Sequence, residues 1–171
     1  MKIKDLSFMP EFFDRYINLA DSEMPLLEQL EATIDIFEVI KPELIRHQEY
    51  RYETGKWTPK DLLQHCIDTE RVQAYRALAF ARGDKNKLSG MDENNYAANA
   101  ESNNRTIEDL LQEFVELRKA TISLFKSFSN EMLLKEGMSF RKVSVLALGF
   151  VIVGHPLHHI NILKERYFKT T

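Results

Sequence analysis

Apolar side chains recur along this chain at intervals of three and four over four stretches, the period of helices that bury one face. The first stretch carries Leu26, Leu27, Leu30, Ile34, Phe37 and Ile40, opened by Pro25 and closed near Lys41-Pro42. A shorter amphipathic piece over residues 11 to 20 precedes it. Residues 48 to 56 break the period with Tyr50, Tyr52 and Gly55, and read as a loop. Thr58, Pro59 and Asp61 then supply an N-cap, a first-position proline and a first-turn acid, which predicts a helix from residue 59 to about 82, stopped by Gly83-Asp84. Thr106 with Asp109 three residues on starts a third helix, carrying Leu110, Leu111, Phe114, Leu117, Ile122, Leu124, Phe125 and Phe128. The last stretch runs from residue 143 to about 168 with only Gly149, Gly154 and Pro156 interrupting it, although its Val-rich start is also strand-like.

Between these helices, residues 84 to 105 hold Gly90, six asparagines and few large apolar side chains, a connection long enough to carry function or a crossover. A second connection, residues 129 to 140, surrounds Gly137. The expected fold is an all-α antiparallel four-helix bundle formed as one domain over residues 1 to 171.

Composition narrows the function classes without naming one. With 171 residues, 44% hydrophobic, 29% charged and a net charge of −3, the chain has the make-up of an ordinary globular domain rather than a disordered segment. The acidic balance and scattered Lys and Arg argue against a nucleic-acid partner. The longest apolar run, residues 143 to 153, is well short of the roughly 20 residues that span a bilayer, so no membrane partner is expected. Cys66 is the sole cysteine, which excludes an intramolecular disulfide and a zinc ribbon, and the amino terminus lacks a signal-length apolar stretch. A reducing, cytoplasmic setting is the expectation.

Candidate chemistry is concentrated in the histidines. Three of five fall within five residues: His155, His158 and His159. On a helix, His155 and His159 share a face with Cβ atoms about 6 Å apart, close enough for both imidazoles to hold one metal ion. His65 sits among apolar neighbours in Leu62-Leu63-Gln64-His65 and is either a third ligand or a hydrogen-bonded core residue. Three imidazoles would leave coordination positions open for water or substrate. His158 points about 100° away from His159 and suits a flanking role. Asp68 and Thr69, three and four residues after His65, could orient its second ring nitrogen. Glu70, Arg71 and Arg76 read as surface or interhelical pairs, and Trp57 as a staple between loop and helix. Pro156 leaves two geometries open: a helix kinked within the site, or one that restarts with His155 near its N-cap.

Several of these residues also form ordered motifs. Trp57-Thr-Pro-Lys-Asp-Leu-Leu-Gln-His65, Asp68-Thr-Glu-Arg71, Tyr75-Arg-Ala-Leu, Gly83-Asp, Met91-Asp-Glu-Asn-Asn-Tyr96 and Gly154-His-Pro-Leu-His-His159 through Tyr167 resemble the DinB-like (DinB/YfiT) superfamily of metalloenzymes over residues 25 to 168. The resemblance implies a four-helix bundle, often a homodimer, that binds one divalent transition metal (zinc, nickel, iron or similar) through His65, His155 and His159. It also favours a last helix that continues past Pro156. Relatives commonly carry Glu where this chain has Pro156, so the general base of a His-Glu-x-x-His peptidase is missing. Enzymes similar to this family use low-molecular-weight thiols such as bacillithiol or mycothiol, and a metal-activated thiol or water acting on a small-molecule substrate is the expected chemistry. The contrasting expectation is a non-catalytic, stress-associated metal-binding bundle; DNA repair is suggested only by the family's damage-inducible name. Asp92 and Glu93, in the long connection, are candidates for shaping the site mouth, or alternatively for capping a turn.

Overall fold

The computed structural model describes residues 1–169. Its long helices begin where side-chain caps replace missing backbone partners. Helix α4 (Pro59–Ala81) opens on a reciprocal capping box: Asp61 N donates to Thr58 Oγ1 at 3.1 Å, and Thr58 N donates to Asp61 Oδ2 at 2.9 Å. It ends at Arg82, and the following Gly83 takes φ +85°, a left-handed conformation that favours glycine. Thr106 caps α6 (Ile107–Lys126) through Asp109 N, and Ser144 caps α8 (Val145–Ile162) through Ala147 N. Helix α8 passes into a wider turn over Leu163–Tyr167.

The first predicted helix is segmented. It consists of α2 (Leu26–Ala32), a 3₁₀ turn over Glu38–Ile40 and α3 (Lys41–Arg46), so Pro42 lies in the first turn of a helix instead of terminating one. Before it, residues 11 to 20 form only one helical turn, α1 (Asp14–Ile17). The long connection holds α5 (Glu93–Asn99) and a 3₁₀ turn over Ser102–Asn104. After α7 (Asn130–Leu133), strands β1 (Glu136–Met138) and β2 (Lys142–Ser144) form a small antiparallel hairpin with Gly137 opposite Val143. The strand tendency of the Val-rich segment is thus realised only up to its N-cap, and the remainder is helix.

Helix α4 packs against α6 and α8, while α2 packs against both α6 and α8 and α1 lies along α8. Their apolar faces form two clusters. One gathers Phe13, Ile17, Leu26, Leu30, Phe80, Phe125 and the first half of α8; the other gathers Phe37, Leu44, Leu62, Leu63, Ile67, Leu110, Phe114, Ile160 and Tyr167. Each long helix changes character between them. On α4 the intervening buried residues are Thr69, Glu70, Gln73 and Arg76, on α6 they are Arg118 and Thr121, and on α8 they are Gly154, His155, Pro156 and His159. The bundle therefore carries a polar layer across its middle.

One buried network ties that layer together. Arg118, fully buried, grips Glu70 in a forked pair, with Nε to Oε1 at 2.9 Å and Nη2 to Oε2 at 2.8 Å. The same Nη2 donates to the Ile152 carbonyl at 3.1 Å. That carbonyl lies four residues before Pro156, which has no N–H to offer it. Helix α8 thus runs through Pro156 with its freed backbone acceptor satisfied from α6, so the helix continues rather than restarts.

The segment Val145–Tyr167 is long and apolar enough to cross a membrane by length and composition alone, with a mean hydropathy of 1.5, yet 78% of that window is buried inside the fold. It is the central core helix of the bundle.

Candidate metal centre

The polar layer brings His65 from α4 against His155 and His159 from α8. His155 Nε2 lies 3.1 Å from His65 Nε2 and 3.1 Å from His159 Nε2, and one ligand atom from each ring falls within 4.8 Å of the others. All three side chains are buried. Burial is the first cause that holds their protonation down: His65 is lowered to about 4, with His158 adding to the effect, and His159 to about 2, with His65 and His158 adding. His155 is also held well below the ordinary imidazole value, by burial and then by His159. All three rings are neutral at pH 7 and can present lone pairs.

Nε2–H groups on His65 and His159 could both donate to His155 Nε2, and a single cation in place of those protons accepts a lone pair from all three nitrogens. Two nitrogens each about 2.0–2.1 Å from a tetrahedral zinc stand about 3.3 Å apart, close to the observed separations. The donor set therefore fits one transition-metal ion. Nδ1 of His65 and of His159 is buried and has no hydrogen-bond partner among the described residues.

A cavity of about 500 Å³ opens beside the three rings. Thr69 lines it, with its hydroxyl 4.0 Å from Met91 Sδ, and His158 and Glu93 line it as well. The His158 ring stands edge-on to Tyr16 at 5.4 Å and to His159 at 5.1 Å. Asp68 turns to a neighbouring cavity, where it accepts from Gln64 Nε2 at 3.0 Å and lies 3.8 Å from Arg71. Asp92 caps α5 by accepting from Asn95 N at 3.0 Å. Cys66 is buried, and burial followed by Glu70 pushes its thiol pKa up, which makes it inert.

The wall also includes residues that helical periodicity did not single out as site residues. Tyr16, from the short α1, packs edge-on to His155 at 5.1 Å, and burial raises its hydroxyl pKa. The Trp57 ring lies against His65 at 4.8 Å, so its role reaches beyond stapling. Phe12 holds φ +75°, which is strained for an aromatic residue, and meets Phe140 of the hairpin edge-on at 4.9 Å at the cavity rim. Gln73 and Arg76 continue the His65–Thr69 stripe of α4 and line the same cavity. Extending that stripe by further helical steps was the available signal for these two; Tyr16 and Phe12 had none.

The three neutral imidazoles make a pH prediction. An imidazole whose folded pKa lies below its unfolded value of about 6.5 binds more protons when unfolded, so stability is full above pH 6.5 and falls as pH drops toward the folded pKa. For His65 that window runs from 6.5 down to about 4. Denaturant unfolding of metal-free protein is expected to show a loss of about 2 kcal/mol between pH 7.5 and 5 from His65 alone. Invariant stability over this range would contradict burial of neutral rings.

A four-helix bundle with a buried trihistidine cluster facing a cavity is the class this geometry defines. The sequence profile of the DinB superfamily matches residues 26–163, and the chain belongs to that family. Among solved structures it is similar to YfiT from Bacillus subtilis, described as a probable metal-dependent hydrolase with an unusual four-helix bundle topology. That likeness has 17% sequence identity, covers 93% of this chain and 87% of the other, and has a TM-score of 0.70. Comparison with curated proteins found no match.

Proposed function

We propose that this protein is a metal-dependent enzyme that transfers a small thiol, of the bacillithiol kind, to an electrophilic small molecule. His65, His155 and His159 would hold the metal. The observation that carries the reading is the convergence of three neutral Nε2 atoms on one point beside an open cavity. A divalent metal bound there lowers the pKa of a coordinated thiol or water and so supplies a nucleophile at neutral pH.

The chain's own groups define the rest. Phe12, Phe13, Trp57 and Val151 exclude water from one side of the cavity. The Thr69 hydroxyl and Gln73 amide on its lining would offer hydrogen bonds, and Glu93, the carboxylate on that lining, would accept the proton released from the thiol. In the transfer, sulfur bonds to the electrophilic carbon as the bond to the leaving group breaks, and the thiol proton leaves with a base or the leaving group. Pro156 stands beside His155, so no carboxylate follows that histidine as a peptidase base.

Metal-loaded protein is expected to form thiol conjugates with 1-chloro-2,4-dinitrobenzene well above the uncatalysed rate when supplied with bacillithiol or another small thiol, read by mass spectrometry. Absence of conjugates with every thiol at full metal loading would overturn the transfer reading. Ester hydrolysis under the same conditions would instead make water the nucleophile, the class by which YfiT is described; neither activity would leave a non-catalytic metal-binding bundle.

A further inference from the structure

The wall of the cavity away from the imidazoles holds an uncompensated charge. His65, Thr69, Gln73 and Arg76 follow one another along α4 at steps of four, four and three, and all four line the same cavity. At 1.5 Å per residue, the Arg76 backbone lies about 16 Å along the helix axis from His65. Arg76 is only 3% exposed. Its guanidinium donates to Gln73 Oε1 at 3.2 Å and to the Ser89 carbonyl at 2.7 Å, both neutral acceptors.

Three of the other arginines are treated differently, while Arg15, on the same cavity wall, is exposed and donates to the Phe12 carbonyl. Arg118, equally buried, is forked onto Glu70, and Arg71 and Arg105 both pair with Glu113. Among the described residues, Arg76 forms no ion pair, although Asp68 and Glu93 line the cavities on its two sides. A buried cation without a counter-charge is destabilising. Arg76 also forms part of the wall shared by the metal-centre cavity and a neighbouring one of about 580 Å³, together with Gly90 and Met91. Its two neutral contacts leave further N–H groups of the guanidinium fork for an incoming oxyanion.

We infer that Arg76 is the counter-ion for an oxyanion, a carboxylate or phosphate, on the substrate, and that the substrate is an elongated anionic molecule whose other end reaches the three imidazoles. Which end reacts rests on the function proposed above; the oxyanion site itself requires no metal.

Metal-free protein tests it without competition from carboxylate–metal bonds. Fluorescence of Trp57, packed on His65, would follow titration with octanoate, octyl phosphate and neutral octan-1-ol at pH 7.5. At least one anion is expected to bind about tenfold or more tighter than the alcohol, as a charge-assisted fork requires. Arg76→Gln should erase that preference and Arg76→Lys should keep part of it. Equal affinities in the unmodified protein would overturn the inference, as would an anion preference that survives Arg76→Gln, and the first comparison needs no variant to fold. With cobalt-substituted protein, 8-mercaptooctanoate is expected to give a thiolate-to-cobalt absorption band at lower concentration than 8-mercaptooctan-1-ol. Anion preference without any such band would count against the thiol reading and leave the Arg76 site standing.

Discussion

His155→Ala is expected to strip the divalent metal from protein purified without a tag, from about one equivalent per chain to a small fraction of that. His155 is the central member of the cluster, the ring whose Nε2 stands 3.1 Å from both neighbours. Removing groups that merely orient a ligand lowers metal affinity by about 10- to 100-fold, so loss of a ligand should exceed that. Metal at about 100 times its dissociation constant stabilises a folded protein by about 2.7 kcal/mol. For a chain of this length that corresponds to a rise of roughly 5–10 °C in melting temperature. Adding zinc, nickel or iron should therefore raise the melting temperature of the unmodified protein and leave that of the variant unmoved. Elemental analysis and circular dichroism together separate metal loss from unfolding: His155→Ala should keep its helical signal, at a cost in stability for the cavity it leaves and for the two Nε2 atoms that lose their neighbour. Equal metal content in parent and variant would remove the trihistidine centre from consideration.

The second large effect lies in the buried network rather than the cavity. Arg118→Ala leaves Glu70, which is 3% exposed, as an unpaired charge and deprives the Ile152 carbonyl of its donor. Breaking one side of a buried pair costs about 3–5 kcal/mol, which corresponds to roughly 6–20 °C in melting temperature for a protein of this size. The contact to Ile152 makes a second, more specific outcome measurable. Pro156→Ala restores an N–H able to close the helical bond to that carbonyl, so it should reduce the penalty of Arg118→Ala when the two are combined. Strict additivity in denaturant unfolding would show that Arg118 does not substitute for the bond that Pro156 lacks.

The same network explains where sequence reasoning succeeded and where it stopped. Thr58-Pro59 with Asp61 was legible because capping is local: donor and acceptor lie three residues apart. Residues 25 to 42 carried an equally regular apolar period, yet the helix breaks after Ala32. Thr33 turns its hydroxyl back onto the Gln29 carbonyl at 2.7 Å, and both its hydroxyl and carbonyl accept from Arg118, eighty-five residues away. No local pattern encodes such a partner. In the site, the spacing of His155 and His159 was readable as geometry, whereas the joining of His65 to them depends on how α4 packs on α8. Asp68 and Thr69 looked equivalent in sequence; the cavity lies on the Thr69 side of the helix, and Gln64 and Arg71 hold Asp68 on the other.

The close approach of α1 to α8 separates two properties that enzymes often combine in one element. A Cβ on Gly154 would lie 1.9 Å from the Tyr16 carbonyl oxygen, so the glycine beside His155 is what allows the amino-terminal segment to lie close against α8. That segment precedes the family-matched span of residues 26–163, yet it contributes Phe12, Phe13, Arg15 and Tyr16 to the cavity wall. A chain trimmed to the matched span would retain every imidazole and lose one side of the vessel around them. Substrate selection can consequently diverge through a short leading segment while the histidine-bearing helices stay fixed, provided position 154 remains without a side chain.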